Sequence, residues 1–200
     1  MDRDSPWRQV VESPSPGDHI ILWSDASPAC DHACASFLRG GLSRNDLILV
    51  ALPKTEFPDL ETRLVASGVD LEALVNEGRA LRILSDEVTP DNARDLEGIP
   101  AVMPDVLDLA KSMGRTGLTV FDRTAAARFE AGDFGLAERI EHLGRENRHS
   151  ARVLCAYDGR RLSFDRLREG VRITRQHTHA VTSLGAGRFF VESLARLVEV

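Results

Sequence analysis

Short apolar runs alternate with segments of helical periodicity along almost the whole chain. "HIILW" (19–23) is β-branched and apolar, as a buried strand requires. Pro28 suits the first turn of a following helix, where its missing N–H costs nothing. That helix is predicted to run to about Leu42 with Ala33, Phe37 and Leu38 on one side. Gly40 and Gly41 are expected to help end it. "DLILVAL" (46–52) is the second predicted strand, stopped by Pro53. Residues 58–68 and 70–78 read as helices with glycine stops, "ALRILS" (80–85) as the third strand, and 86–99 as polar and irregular. A helix is predicted over 101–114 and the fourth strand over 117–122. One bent helix or two are predicted over 124–147, with Leu136, Ile140 and Leu143 at helical spacing. "ARVLCAYD" (151–158) is the fifth strand. Residues 163–177 read as a helix capped by Ser163, 179–185 as a last strand and 189–200 as a last helix.

Short apolar strands separated by helices predict an α/β fold, a mainly parallel central sheet with helices on both faces. Residues 1–17, polar and holding three prolines, are expected to form an N-terminal arm. Residues 18–200 are expected to form one domain.

Composition narrows the partners. The chain has 200 residues, 42% hydrophobic and 28% charged, which is enough apolar material for a real core. Its net charge of −6 opposes docking on nucleic acid or anionic lipid. No apolar run of about 18 residues predicts a membrane span. The polar start lacks an apolar signal core, so a cytoplasmic location is expected. Three cysteines, Cys30, Cys34 and Cys155, do not suggest a disulfide framework.

In open parallel sheets, ligands collect at the carboxyl ends of the strands. The loop "SDASPACDHA" (24–33), between the first strand and the first long helix, stands where many α/β proteins grip a nucleotide phosphate. Such a loop needs glycines that turn N–H groups inward and a lysine for charge. This one has neither, and Asp25 and Asp31 would repel phosphate. "LTVFD" (118–122) looks like the acidic end of a Walker B strand, yet Asp122 has no partner loop to serve. The expected pocket lies between the first and fifth strands, nearest Trp23, Asp25, Asp122, Tyr157 and Asp158. Aromatic walls with a polar lip suit a small organic molecule better than a triphosphate.

The order of these features resembles the MEDS domain, the sensory domain named after methanogens, methylotrophs and a dichloromethane-responsive regulator. The resemblance rests on His19 before the first strand, the acidic loop at Asp25, the stretch Phe37 to Leu42 and "DLILVAL". "VLCAYD" (153–158) and "QHTHAV" (176–181) complete it. It spans roughly residues 17 to 185. It implies a degenerate relative of RecA/KaiC-type proteins, P-loop-like without the P-loop, that senses small hydrocarbon derivatives, and it does not imply catalysis. This chain departs from the family pattern at "FDRTAAARFE" (121–130) and lacks the proline beside the late histidine.

The resemblance also highlights His19, Cys155, His177 and His179. Imidazole and thiolate are the usual zinc ligands, and His177 and His179 would share a face on a strand. Against a metal stands the absence of a close CxxC or HxxxH pair, and a cysteine inside an apolar strand is usually a buried hydrophobe. No metal and no cofactor are therefore expected, with this set as the alternative. Cys30, His32 and Cys34 cannot converge, because His32 points about 200° from either cysteine on a helix. The leading expectation is a binding module without turnover, served by a regulatory protein that supplies the output, or assembled as a homodimer. The alternatives are an interaction protein with a vestigial pocket and a metal- or thiol-dependent enzyme.

Overall fold

Among the described residues, seven strands form a single sheet: β1 (His19–Ser24), β2 (Leu47–Leu52), β3 (Ala80–Leu84), β4 (Leu118–Asp122), β5 (Arg152–Asp158), β6 (His179–Ser183) and β7 (Phe189–Ser193). Their order is β3-β2-β4-β5-β1-β6-β7. The first six run parallel and β7 is antiparallel to β6. This computed structural model describes residues 6–25, 28–88, 102–147, 149–183 and 189–194. The helices are α1 (Pro6–Glu12), α2 (Pro28–Ser43), α3 (Phe57–Ala66), α4 (Leu71–Asn76), α5 (Ser85–Val88), α6 (Val102–Ser112), α7 (Thr124–Glu130), α8 (Phe134–Asn147) and α9 (Leu167–Thr174).

Every residue of β1 and β2 is buried. Strands covered on both faces need this, and it is why they read as continuous apolar runs rather than alternating ones. The period of two still sorts them. Ile20 and Leu22 enter a core with Phe37, Leu38 and Leu64 from α2 and α3. Ile21 and Trp23 enter a second core with Phe129, Leu136, Ile140 and Ile173 from α7, α8 and α9. The chain therefore leaves β1 toward one face and β4 toward the other. Between them a crevice opens at the carboxyl edge of the sheet.

One open alternative is resolved and three local expectations are corrected. The region 124–147 forms two helices, α7 and α8, broken by Gly132 at φ 89°, a backbone setting natural only to glycine. Gly40 and Gly41 lie inside α2 rather than ending it. They permit close approach, since a Cβ on Gly40 would collide with the Glu12 carbonyl and one on Gly41 would lie 2.7 Å from Thr119 Oγ1. The helix expected over 163–177 is α9 alone, preceded by a short 3₁₀ turn at 164–166, and the Ser163 side chain makes no capping hydrogen bond. The last helix expected over 189–200 begins as a strand, because Phe189 and Val191 turn inward while Phe190, 61% exposed, turns out. Residues 195–200, and 89–99 of the region expected to be irregular, lie outside the described residues.

The arm expected over 1–17 contains α1, which is docked. Trp7 and Val11, four apart on one helical face, are buried, and Trp7 packs on Phe189 of β7 at 4.3 Å. Among the described residues, no helix is long and apolar enough to cross a membrane.

Candidate functional site

Two polar features stand out. The first is a buried cluster between the sheet and α8. β1 begins at His19, whose side chain points to the α8 side like those of Ile21 and Trp23. Cys155 and Tyr157 of β5 point to the same side. α8 lies over them and carries Glu141, only 3% exposed. His177, in the turn after α9, closes the group. One ligand-type atom from each of His19, Glu141, Cys155 and His177 lies within 4.8 Å of the others, and all four residues are buried.

The contacts are directional. Glu141 Oε2 lies 3.2 Å from His19 Nε2, 3.3 Å from His177 Nε2 and 3.6 Å from Cys155 Sγ. His19 Nε2 also lies 3.2 Å from Cys155 Sγ. The other carboxylate oxygen, Oε1, accepts the Tyr157 hydroxyl at 2.5 Å. Each imidazole has its Nδ1 beside a backbone carbonyl, His19 at Gln176 (3.2 Å) and His177 at Ile173 (2.9 Å). A carbonyl only accepts, so each Nδ1 is the protonated donor and each Nε2 faces the cluster. Burial pushes the Glu141 carboxyl up, but His177 and His19 outweigh it and hold the carboxyl well below the usual range. Burial, followed by the Glu141 charge, pushes the Cys155 thiol and the Tyr157 hydroxyl well up.

Of the four residues the sequence grouped, His19, Cys155 and His177 meet and His179 does not. β6 starts only at His179, so His177 sits in the preceding turn and the two histidines do not share a strand face. His179 instead has Nδ1 3.0 Å from Thr178 Oγ1 and 3.8 Å from Asp18 Oδ1. Glu141 takes the fourth place. Sequence reasoning followed Leu136, Ile140 and Leu143 and passed over it, although Ala137, Ile140, Glu141 and Gly144 form one helical stripe. A carboxylate on an apolar stripe was the available signal.

The second feature is a cavity of about 330 Å³ at the carboxyl edge, reached by Ser24, Cys30, Phe121, Ala156 and Tyr157. Its walls are charged. Acids come from Asp31, Glu56, Asp59, Glu130 and Asp158, and bases from Arg63, Arg123 and Arg160. Arg123, directly after β4, fastens the floor. Its guanidinium donates to Glu56 (2.5 Å), Glu130 (3.0 Å) and the Ala156 carbonyl (2.7 Å). The acidic majority leaves this cavity poorly matched to a polyphosphate.

Tyr157 and Asp158 line that cavity; Trp23, Asp25 and Asp122 are not among its lining residues. Trp23 is buried beside Tyr157 (4.7 Å), and its indole N–H donates to Thr174 Oγ1 at 3.0 Å. Asp25 accepts from the Ser183 hydroxyl at 3.5 Å. Asp158 accepts from the Arg160 guanidinium and N–H, which hold its carboxyl below the usual range. Asp122 accepts the Thr124 N–H at 2.6 Å. In α2, Cys30 and Cys34 diverge from His32, which lies 3.1 Å from an Arg8 guanidinium nitrogen.

Asp122 makes the fold pH-sensitive. Burial raises its carboxyl from 3.8 to about 6, against the pull of the Thr124 hydrogen bonds. A raised pKa means the fold prefers the protonated acid. That stabilisation is complete below the unfolded value of 3.8 and is lost as pH rises through about 6. Asp122→Asn keeps an acceptor for Thr124 and removes the charge. Urea unfolding at a series of pH values should show the variant gaining on the parent by up to about 3 kcal/mol between pH ~4 and ~7. A constant difference across that window would contradict this.

Comparison with known proteins gives the chain a family and a fold. The family model described as MEDS, the methanogen/methylotroph, DcmR sensory domain, matches residues 18–174. No curated protein matches the chain. Among solved structures, a KaiC-like protein from Pyrococcus horikoshii OT3 is similar with a TM-score of 0.54 at 14% identity, over 84% of this chain and 72% of that one. The flagellar accessory protein FlaH from Methanocaldococcus jannaschii is similar with a TM-score of 0.50 at 12% identity, over 97% and 86%. At these identities the likeness is one of fold: a KaiC-like, mostly parallel sheet between helical layers.

Proposed function

Since the chain belongs to the MEDS family of sensory domains, we propose that it senses a small organic, hydrocarbon-derived molecule and binds it without turnover. The observation that carries this reading is the carboxyl-edge cavity. In a KaiC-like fold, that edge is where a ligand collects, and here the loop beside it has no glycine and no lysine. Arg123 is committed to Glu56 and Glu130, and the acids outnumber the bases. About 330 Å³ holds a small molecule. The domain works in signal transduction or transcriptional regulation in the cytoplasm, with Asp25 and Asp122 at the margin of the site and Trp23 behind Tyr157.

Output is assigned to a protein partner. The support for this is one exposed stripe, Phe164, Leu167 and Val171, on α9 and the turn before it. Phe164 is 94% exposed, which is unusual for a phenylalanine and suited to contact.

Trp23 reports on the cavity through Tyr157. In a Trp7→Phe variant, the remaining tryptophan emission should change in a saturable way with one of a panel of small alcohols, aldehydes and halomethanes. Saturable quenching by magnesium-ATP, with none from the panel, would overturn the reading.

A further inference from the structure

The buried cluster points beyond reception of an organic molecule. We propose that His19, Glu141, Cys155 and His177 bind one divalent transition metal ion of the zinc type, through Nε2 of both histidines, the Cys155 thiolate and Glu141 Oε2. This inference does not rest on the cavity reading, because its residues lie on the α8 side of the sheet and its test uses metal alone.

Four observations converge. First, the spacing fits. Metal–ligand bonds of about 2.0–2.3 Å in a tetrahedron separate the ligand atoms by roughly 3.3–3.8 Å. Four of the six separations come close to this, 3.2 Å (His19–Glu141), 3.2 Å (His19–Cys155), 3.3 Å (His177–Glu141) and 3.6 Å (Cys155–Glu141), and all six lie within 4.8 Å. Second, the outer contacts are those a metal site needs. Both imidazoles are steered by Nδ1 against the carbonyls of Gln176 and Ile173, which turns both Nε2 atoms to the centre. Tyr157 occupies Glu141 Oε1 and leaves Oε2 to the cluster.

Third, the cluster on its own holds a buried polar atom without a hydrogen bond. His177 Nε2 lies 3.3 Å from Glu141 Oε2 but makes no hydrogen bond of acceptable geometry. A metal gives that nitrogen a partner and displaces any proton it carries. Fourth, the charges balance. A divalent ion with one thiolate and one carboxylate is neutral, which suits a site where all four residues are buried. Binding releases the Cys155 thiol proton to solvent, together with any proton held on the two Nε2 atoms. Four protein ligands leave no open position, so the site is closed, of the kind that fixes structure or reports metal. Mixed nitrogen, sulfur and oxygen donors favour zinc over magnesium or calcium.

The test uses the full chain stripped by chelator and dialysed, then titrated with Zn²⁺ and, separately, with Co²⁺. One Zn²⁺ per chain should bind with a Kd below about 1 μM. Bound Co²⁺ should show the intense visible bands of a tetrahedral site and a thiolate-to-cobalt band in the near ultraviolet. Cys155→Ser should abolish the thiolate band, and His177→Ala should weaken Zn²⁺ binding at least about 100-fold, more than the roughly 10–100-fold that losing an outer contact of a ligand costs. A Cys30→Ser/Cys34→Ser double variant should leave both signals intact. Absence of stoichiometric Zn²⁺ uptake, or of the thiolate band, in the parent protein overturns the proposal even if a variant fails to fold. So does a band that follows Cys30 and Cys34 instead of Cys155.

Discussion

Glu141→Ala, studied metal-free, should lose about 3–5 kcal/mol of stability at neutral pH, the cost of removing one partner from a buried charged cluster. Glu141 is the only carboxylate among its buried neighbours His19, Cys155, Tyr157 and His177, and every one of them lies within 3.6 Å of one of its oxygens. Alanine leaves the Tyr157 hydroxyl buried with nothing to bond and takes the carboxylate away from both Nε2 atoms. The sign of the pH dependence follows from the depressed carboxyl. Its contribution is present above the unfolded value of 4.5 and is lost as pH falls below it. Parent and variant should therefore differ most near neutrality, and the gap should narrow progressively as pH falls below 4.5. Denaturant unfolding at pH ~7 and ~3 reads this directly, and a loss under about 1 kcal/mol at neutrality would mean the cluster is not cohesive.

Arg123→Met should cost about 2–4 kcal/mol, somewhat less than the ~3–5 kcal/mol for a fully buried pair, because these ion pairs keep some exposure and are partly screened. Methionine can fill much of the volume. It cannot donate to Glu56, Glu130 and the Ala156 carbonyl together, and the two glutamates are left facing one cavity without their shared cation. The double variant Arg123→Met/Glu56→Gln should be at least 1 kcal/mol more stable than the sum of the single losses predicts, as coupled neighbours are. Simple additivity would show that Arg123 does not organise the floor.

The parallel sheet was legible because its central strands are buried on both faces and so appear as unbroken apolar runs. β7 was not. "FFVESL" has apolar residues at helix-like intervals, and only pairing with β6 and packing of Phe189 on Trp7 decide for a strand. The same contact explains α1. A short helix in a proline-rich start has little propensity of its own and is held by Trp7 and Val11 in the core. At the cluster, His19, Cys155 and His177 were visible as residue types, but strand, strand and turn bring them together across more than a hundred residues. Glu141 was hidden because a glutamate in a charged helix reads as surface until α8 is known to lie on β1 and β5. The cavity lining was the least legible part. Trp23 stands at a strand end as expected, but its indole turns under the sheet toward Thr174 rather than into the opening.

On the proposed reading, a KaiC-like scaffold receives a small organic molecule and not a nucleotide. Thermal unfolding of the full chain against small alcohols, aldehydes and halomethanes, with magnesium-ATP in parallel, tests it most directly. A ligand at about 100 times its Kd adds about 2.7 kcal/mol, or roughly 5–10 °C for a chain of this size. A rise of that order is expected with at least one organic compound and none with magnesium-ATP. A rise with magnesium-ATP alone would contradict it.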